Sequence, residues 1–168
     1  MKKSIINQDG MTLLELLASV TILSIILLSF LKFFIQGYHF TNLNQKKTVG
    51  VNVARNVLMY MEKQSFIAMR NEFEGVNTGE VKPENQYLRV VVCNDSYKYF
   101  RPNETIPAFC QPITINNLPY EVFVYSEKAD PEENVNYFIP ITVEVRWEIN
   151  GNEFHTDVDG TIQSEDIR

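Results

Sequence analysis

One N-terminal stretch decides the fold, and it reads Gly10-Met11-Thr12-Leu13-Leu14-Glu15-Leu16-Leu17-Ala18-Ser19-Val20-Thr21-Ile22-Leu23-Ser24-Ile25-Ile26-Leu27-Leu28-Ser29-Phe30-Leu31. The 21 residues from Met11 to Leu31 contain one ionisable side chain, that of Glu15. A helix of this length covers roughly 31 Å, about the thickness of the hydrocarbon core of a bilayer. A charged side chain there costs about 2.5–3.5 kcal/mol on insertion scales, so Glu15 needs a partner or a function.

Helix capping is one interpretation of Glu15. The segment Thr12-Leu13-Leu14-Glu15 fits a capping box, in which the Thr hydroxyl and the Glu carboxylate satisfy the first free N–H groups of a helix. On this interpretation Glu15 only starts the helix at the level of the lipid headgroups.

The segment before the apolar run is short, polar and basic. It spans residues 1–10 and carries Lys2 and Lys3. An ordinary secretory signal has an apolar core of about 7–15 residues followed by a small-residue cleavage site. Here the uncharged run from Leu16 to Leu31 has 16 residues, and no Ala-x-Ala-like pattern follows it. A cut at Gly10, by contrast, leaves the apolar helix on the mature protein.

These features resemble the N-terminus of the type IV pilin superfamily, which includes pilins, type II secretion pseudopilins and the competence pseudopilins of Gram-positive bacteria. Its pattern is a short basic leader ending in Gly, a hydrophobic residue, Thr-Leu-Leu-Glu and an apolar helix. Gly10 matches the last leader residue and Met11 the first mature residue, where Phe is most frequent in the family. Glu15 matches the glutamate five residues into the mature chain.

The resemblance implies a sequence of events. A membrane-embedded prepilin peptidase cuts between Gly10 and Met11 and N-methylates Met11. An assembly platform protein and other pilins or pseudopilins then take part in packing the apolar helices into a filament, where Glu15 pairs with the N-terminal amine of a neighbouring subunit. A carboxylate in an apolar medium is tolerated only when it is paired, and cleavage creates a cation at about the right depth. Capping by Glu15 is compatible with this role.

Four regions and an α+β fold are expected. Residues 1–10 form the cleaved leader, 11–35 a membrane-spanning and filament-core helix, 36–73 its amphipathic continuation, and 74–168 an extracytoplasmic antiparallel β domain. Apolar residues that recur at helical spacing predict the face of the continuation that packs on the sheet. They are Val53, Ala54, Val57, Leu58, Met61, Ala68 and Met69.

The C-terminal part has strand signals after a break at Gly75–Pro83. The clearest strand is Ile139–Ile149, in which apolar and polar residues alternate, and Asn150-Gly151 then predicts a two-residue hairpin turn. The other predicted strands are Tyr87–Val92, Tyr97–Phe100, Tyr120–Tyr125 and Phe154–Ile162.

Cys93 and Cys110 either form a disulfide or remain two buried thiols. A bond between them closes a loop of about 18 residues, worth roughly 3 kcal/mol. Free cysteine is also readily buried as a small apolar residue. An outward-facing domain in an oxidising space favours the disulfide.

No catalytic, cofactor or strong metal motif is found. His155, Asp157 and Asp159 alternate onto one face of a strand and are weak candidates for binding a cation such as calcium, although such alternation usually marks the wet face of a sheet. The net charge of −6 becomes 13 − 20 = −7 when Lys2, Lys3 and Asp9 leave with the leader. This charge does not favour DNA binding across the general surface, which depends on neutralising phosphates.

Three functional hypotheses follow. The first is a minor pilin or pseudopilin, with competence or a type IV pilus favoured and type II secretion as the runner-up. The second is an uncleaved, membrane-anchored binding module, and the third a secreted enzyme, disfavoured by the missing motifs. The positive-inside rule does not choose an orientation, because Lys32, Lys46 and Lys47 follow the span. The short leader and the C-terminal cysteines favour a single span with a cytoplasmic N-terminus and a surface-exposed domain.

Overall fold

The computed structural model describes residues 12–74, 87–126 and 137–165. The chain divides into two compact units after Asn44. Helix α1, Leu13–Glu62, contributes to both units. The predicted break at Gly75–Pro83 and the predicted leader lie outside the described residues.

The first unit contains the part of α1 from Leu13 to Asn44. Leucine, isoleucine, phenylalanine and valine occupy all sides of this part of the helix, and its side chains are almost entirely exposed within the chain. A helix that is apolar all round is typical of a membrane span or of the core of a larger assembly.

The second unit is an α+β layer pair, as the sequence predicted. It contains the rest of α1, helix α2, Phe66–Glu74, and an antiparallel sheet of seven described strands. The strands in chain order are β1 Tyr87–Cys93, β2 Ser96–Phe100, β3 Cys110–Gln111, β4 Ile113–Ile115, β5 Leu118–Tyr125, β6 Phe138–Ile149 and β7 Asn152–Gln163.

The strand order in the sheet is β2-β1-β5-β6-β7, with β3 added to β1 and β4 to β5. Three hairpins close through two-residue turns with positive φ, which matches the twist of the flanking strands. The first two turns are Asn94-Asp95 and Asn116-Asn117, and the third is the predicted Asn150-Gly151. At the third turn Ile149 pairs with Asn152, so the long β6–β7 hairpin has the register that the sequence suggested.

The core lies between one side of α1 and one face of the sheet. Val53, Ala54, Val57 and Met61 are each at most 2% exposed, as the helical spacing predicted, whereas the prediction was wrong for Ala68, which is exposed on α2. They belong to one cluster with alternate residues of the central strands: Leu88, Val90, Val122, Val124, Ile141, Val143 and Val145. Burying a side chain of this size contributes about 1.5–3 kcal/mol, so this interface carries much of the stability of the unit.

Two glycines let α1 approach the last hairpin closely. A Cβ on Gly50 would lie 2.8 Å from the ring of Trp147, and a Cβ on Gly160 would collide with the Leu58 side chain. Gly50 weakens the helix intrinsically, by about 1 kcal/mol relative to Ala. Its place in the sequence is explained by the Trp147 ring that packs against it.

The helix predicted as continuous over residues 36–73 is interrupted. The Lys63 N–H bonds to the Tyr60 carbonyl, and the next N–H bonds to the Met61 carbonyl at 3.0 Å, so α1 ends in tight i to i−3 turns. Helix α2 then restarts with the Phe66 N–H donating to Oε1 of Glu165 at 3.2 Å. A carboxylate at a helix N-terminus is favourable, and this one comes from the far end of the chain.

Candidate functional site

Thr12 is the N-cap of α1. The Glu15 N–H donates to Thr12 Oγ1 at 3.3 Å and lies 3.1 Å from the Thr12 carbonyl oxygen, which also accepts the Leu16 N–H. An acidic residue in the first turn also interacts favourably with the helix dipole. The threonine half of the predicted capping box is therefore present. Among the described contacts no bond returns from the Glu15 carboxylate to the Thr12 N–H.

The Glu15 carboxylate has no partner within the described part of the chain. It is exposed, and no cation or hydrogen-bond donor of residues 12–74, 87–126 or 137–165 contacts it. Gly10 and Met11, the predicted cleavage and methylation residues, lie outside the described residues. The described residues thus present a carboxylate at the start of an apolar helix without a cation of their own to stabilise it there.

The apolar part of α1 exposes more apolar surface than is usual for a soluble monomeric protein. From Leu13 to Phe40 every large apolar side chain is at least 46% accessible, and that of Leu13 is 80% accessible. The helix is long and apolar enough to cross a membrane. Exposed apolar surface of this extent marks a contact with lipid or with other subunits.

Hydroxyl groups within this apolar part are satisfied by the helix itself. Ser19 Oγ donates to the Leu16 carbonyl at 2.9 Å, and Ser24 Oγ donates to the Val20 carbonyl at 2.7 Å. Thr21 and Ser29 bond to preceding carbonyls in the same way. Such bonds remove the desolvation cost of a hydroxyl in lipid or in a filament core. Glu15, in contrast to these four hydroxyl groups, has no such bond from its side chain to the described part of the helix.

A disulfide joins Cys93 to Cys110, which is the pairing that the sequence favoured. The two residues are directly opposite each other where β3 pairs with the end of β1. The bond encloses the β1–β2 turn, strand β2 and the loop that contains Pro102 and Pro107. It fixes this excursion to the sheet.

The weak metal candidates do not converge on a site. His155, Asp157 and Asp159 are exposed along the edge strand β7, and Asp159 Oδ1 accepts a hydrogen bond from Thr142 Oγ1 at 2.7 Å. In the part of the chain that the structure describes, no group of three His, Cys, Asp or Glu side chains is placed to hold a metal ion.

The face of the sheet opposite α1 carries a cluster that the sequence reading missed. Arg146 donates from Nε to Glu144 at 2.7 Å, donates to the Tyr125 hydroxyl at 3.2 Å, and lies 5.0 Å from the centre of the Phe123 ring. The hydrogen bond from Arg146 lowers the pKa of Glu144, and burial raises the pKa of Tyr125 to about 12. The alternation of β6 predicted which residues share this face, but not their pairing across strands.

Comparison with known proteins gives one match, at the N-terminus. Residues 6–31 match the family described as the prokaryotic N-terminal methylation motif. No curated protein and no solved structure matches the chain. The matched residues include Gly10, Met11 and Glu15 and end within the apolar part of α1. The chain thus carries the prokaryotic N-terminal methylation motif, which is the type IV pilin signal.

Proposed function

We propose that this protein is a minor pilin or pseudopilin, a structural subunit of a type IV pilus-like filament. Prepilin peptidase removes residues 1–10 by cutting between Gly10 and Met11, and Met11 is then N-methylated. One observation carries the proposal: the methylation motif covers the start of α1, where the apolar side chains are exposed and the one acid, Glu15, lacks a partner among the described residues.

Pairing explains why the acid is retained. In the filament, the Glu15 carboxylate accepts a hydrogen bond from the N-terminal ammonium group of Met11 of a neighbouring subunit. Thr12 caps the first turn of the helix that carries Glu15. Before assembly the apolar helix spans the membrane once. Each ion alone is costly in an apolar medium, and two ions that meet with good geometry offset much of that cost. The apolar side chains around Glu15 then contact those of other subunits.

The orientation that we propose has a cytoplasmic N-terminus and an outward-facing β domain. The Cys93–Cys110 disulfide supports it, because disulfides persist in oxidising compartments outside the cytoplasm. The subunit reaches the cell surface when the filament assembles. Its partners are prepilin peptidase, other pilins or pseudopilins, the membrane and an assembly platform protein. We assign it no catalytic role, since subunits that carry this motif are structural.

Among filament systems, we favour a Gram-positive competence or type IV pilus system over type II secretion. The support is the Lys/Asn/Ile-rich composition and modest length of the chain. Deleting the gene and scoring transformation, secretion and piliation separately tests this preference. Loss of secretion alone would reverse it.

The mature N-terminus tests the proposed processing. Mass spectrometry of the native protein is expected to find a chain that starts at N-methylated Met11. A small residue is needed at the cut, so Gly10→Ala is expected to be processed more than Gly10→Leu, a matched pair of equal charge. A native chain that retains residues 1–10 would make the protein an uncleaved, membrane-anchored module, and a chain cut after Leu31 would make it a secreted protein.

A further inference from the structure

An open cleft of about 700 Å³ lies beside the edge strand β2 in the second unit. Three separate segments line it: the end of α1 with the turn after it, helix α2, and the end of β2 with the following turn. Its volume falls within the range of roughly 300–1,000 Å³ that is usual for small-molecule sites. The lining residues are Tyr60, Gln64, Glu72, Lys98, Tyr99, Arg101, Asn103 and Glu104.

The charges of this cleft cancel. Two cations, Lys98 and Arg101, and two carboxylates, Glu72 and Glu104, are among its lining residues. Arg101 Nε donates to Glu72 Oε2 at 2.6 Å, and the Arg101 backbone N–H donates to Glu104 Oε2 at 3.2 Å. A nucleic acid or another polyanion needs an excess of positive charge, which this lining lacks. A neutral ligand that offers both donors and acceptors suits the cleft better.

Tyrosine rings supply the apolar part of the lining. Tyr60 and Tyr99 are half-buried, and the Tyr60 ring packs against Tyr97 with the ring centres 5.6 Å apart. Burial raises the pKa of both Tyr60 and Tyr99 above the ordinary value, and their protonated hydroxyls can donate hydrogen bonds. A tyrosine of this kind offers an apolar ring with a polar end.

Planar polar groups complete the arrangement. The amides of Gln64 and Asn103 each provide donors and an acceptor, and the Arg101 guanidinium is held in place by Glu72. Such groups recognise pairs of neighbouring hydroxyls, whereas aromatic rings contact the apolar faces of a sugar ring. We propose that this cleft binds a neutral oligosaccharide. The site lies outside the apolar part of α1 and adds a binding activity to the proposed filament subunit.

Ligand-observed saturation-transfer NMR tests the proposal on the full chain. The protein is kept in a deuterated zwitterionic detergent, because a glycoside detergent would compete for the cleft. The probes are chitotetraose and maltotetraose, with tetragalacturonate as the anionic comparison. We expect at least one neutral tetrasaccharide to bind at a concentration of about 5 mM or below, more tightly than the anionic one.

Two variants locate the binding. Asn103→Ala, in an exposed turn, and Glu72→Gln, which releases Arg101, are each expected to weaken binding by about fivefold. Glu121→Gln breaks the comparable Arg89 pair on the other face of the sheet and is expected to leave affinity unchanged. Absence of binding by both neutral sugars, unchanged affinity in both cleft variants, or stronger binding of tetragalacturonate would overturn the proposal. None of these results depends on the N-terminus, so failure here is distinct from failure of the proposed processing.

Discussion

The two parts of α1 differ in how their apolar side chains are covered. Between Leu13 and Asn44 the apolar side chains stay exposed, and within the chain nothing described buries them. From Gln45 to Glu62 the helix is amphipathic, and its apolar side packs on the sheet with Val57 and Met61 fully buried. Where the sheet covers the helix, apolar residues are confined to the one side of the helix that packs on the sheet. Where the fold supplies no covering surface, lipid or neighbouring subunits must cover the helix.

The largest effect is expected from Glu15→Ala. Removing the acid lowers the cost of placing the helix in a bilayer, so membrane insertion is expected to be unchanged or improved. Incorporation into filaments is expected to fall at least about tenfold, because the neighbouring ammonium group would be buried unpaired. Quantitative immunoblots of membrane and sheared-filament fractions measure the two steps separately.

Ser24→Ala is the matched control in the same apolar part of the helix. Among the described residues, the Ser24 hydroxyl bonds to the Val20 carbonyl of its own helix, so its removal is expected to leave incorporation unchanged. Equal incorporation of the Glu15→Ala and Ser24→Ala proteins would contradict the pairing hypothesis.

Met61→Ala tests the amphipathic part of α1. Met61 is fully buried, and its truncation is expected to destabilise the domain by about 2–5 kcal/mol. Met59, two residues earlier in the same helix, is 51% exposed, and Met59→Ala is expected to change stability by no more than about 0.5 kcal/mol. Denaturant unfolding followed by Trp147 fluorescence measures the stability of the two variants. Similar unfolding midpoints for Met61→Ala and Met59→Ala would show that the side of the helix that carries Met61 is not part of the core.

The double variant Cys93→Ser/Cys110→Ser measures what the disulfide contributes. It is expected to lose about 3 kcal/mol, because the open chain regains the entropy of the enclosed loop. A reducing agent should destabilise the wild-type protein by a similar amount and leave the double variant unaffected. A reducing agent without effect on the wild-type protein would mean that the bond is not formed in solution.

The smallest effect is expected from the ion pair of Glu144 with Arg146. The pair is partly exposed, so Glu144→Gln is expected to cost no more than about 1 kcal/mol at neutral pH. The folded pKa of Glu144 is lowered, so this contribution is present above the ordinary pKa of 4.5 and is lost as the pH falls toward the lower folded value. Glu148→Gln, an exposed residue on the same strand, is the control. If the stability difference between Glu144→Gln and wild type stayed the same at low pH, the ion pair with Arg146 would not be its cause.

Much of the fold follows from local patterns. The alternation from Ile139 to Ile149 with Asn150-Gly151 predicts the β6–β7 hairpin because burial period and turn chemistry agree. The apolar spacing from Val53 to Met61 predicts the buried side of α1 for the same kind of reason. The Thr12 cap is likewise a local feature, carried by residues three apart.

Other features depend on contacts that are distant in sequence. The helix is interrupted after Glu62, and the start of α2 is capped by Glu165. The Glu165 carboxylate accepts a hydrogen bond from the Phe66 N–H, 99 residues away in the sequence. Strands β3 and β4 contain two and three residues, too few for a periodic signal. The cleft beside β2 is lined by three segments that are separate in sequence, so no local motif predicts it. The partner that we propose for Glu15 lies on another chain, and that proposal rests on the family resemblance and not on the residue pattern alone.

Carbodiimide coupling in assembled filaments tests the central claim most directly. Filaments built from a mixture of isotopically light and heavy subunits are treated with a lipophilic carbodiimide, digested and examined by mass spectrometry. We predict a covalent amide between the Glu15 carboxyl of one subunit and the Met11 nitrogen of another, seen as mixed light–heavy peptides. Glu15 recovered without that linkage, from filaments whose other contacts do couple, would contradict the account.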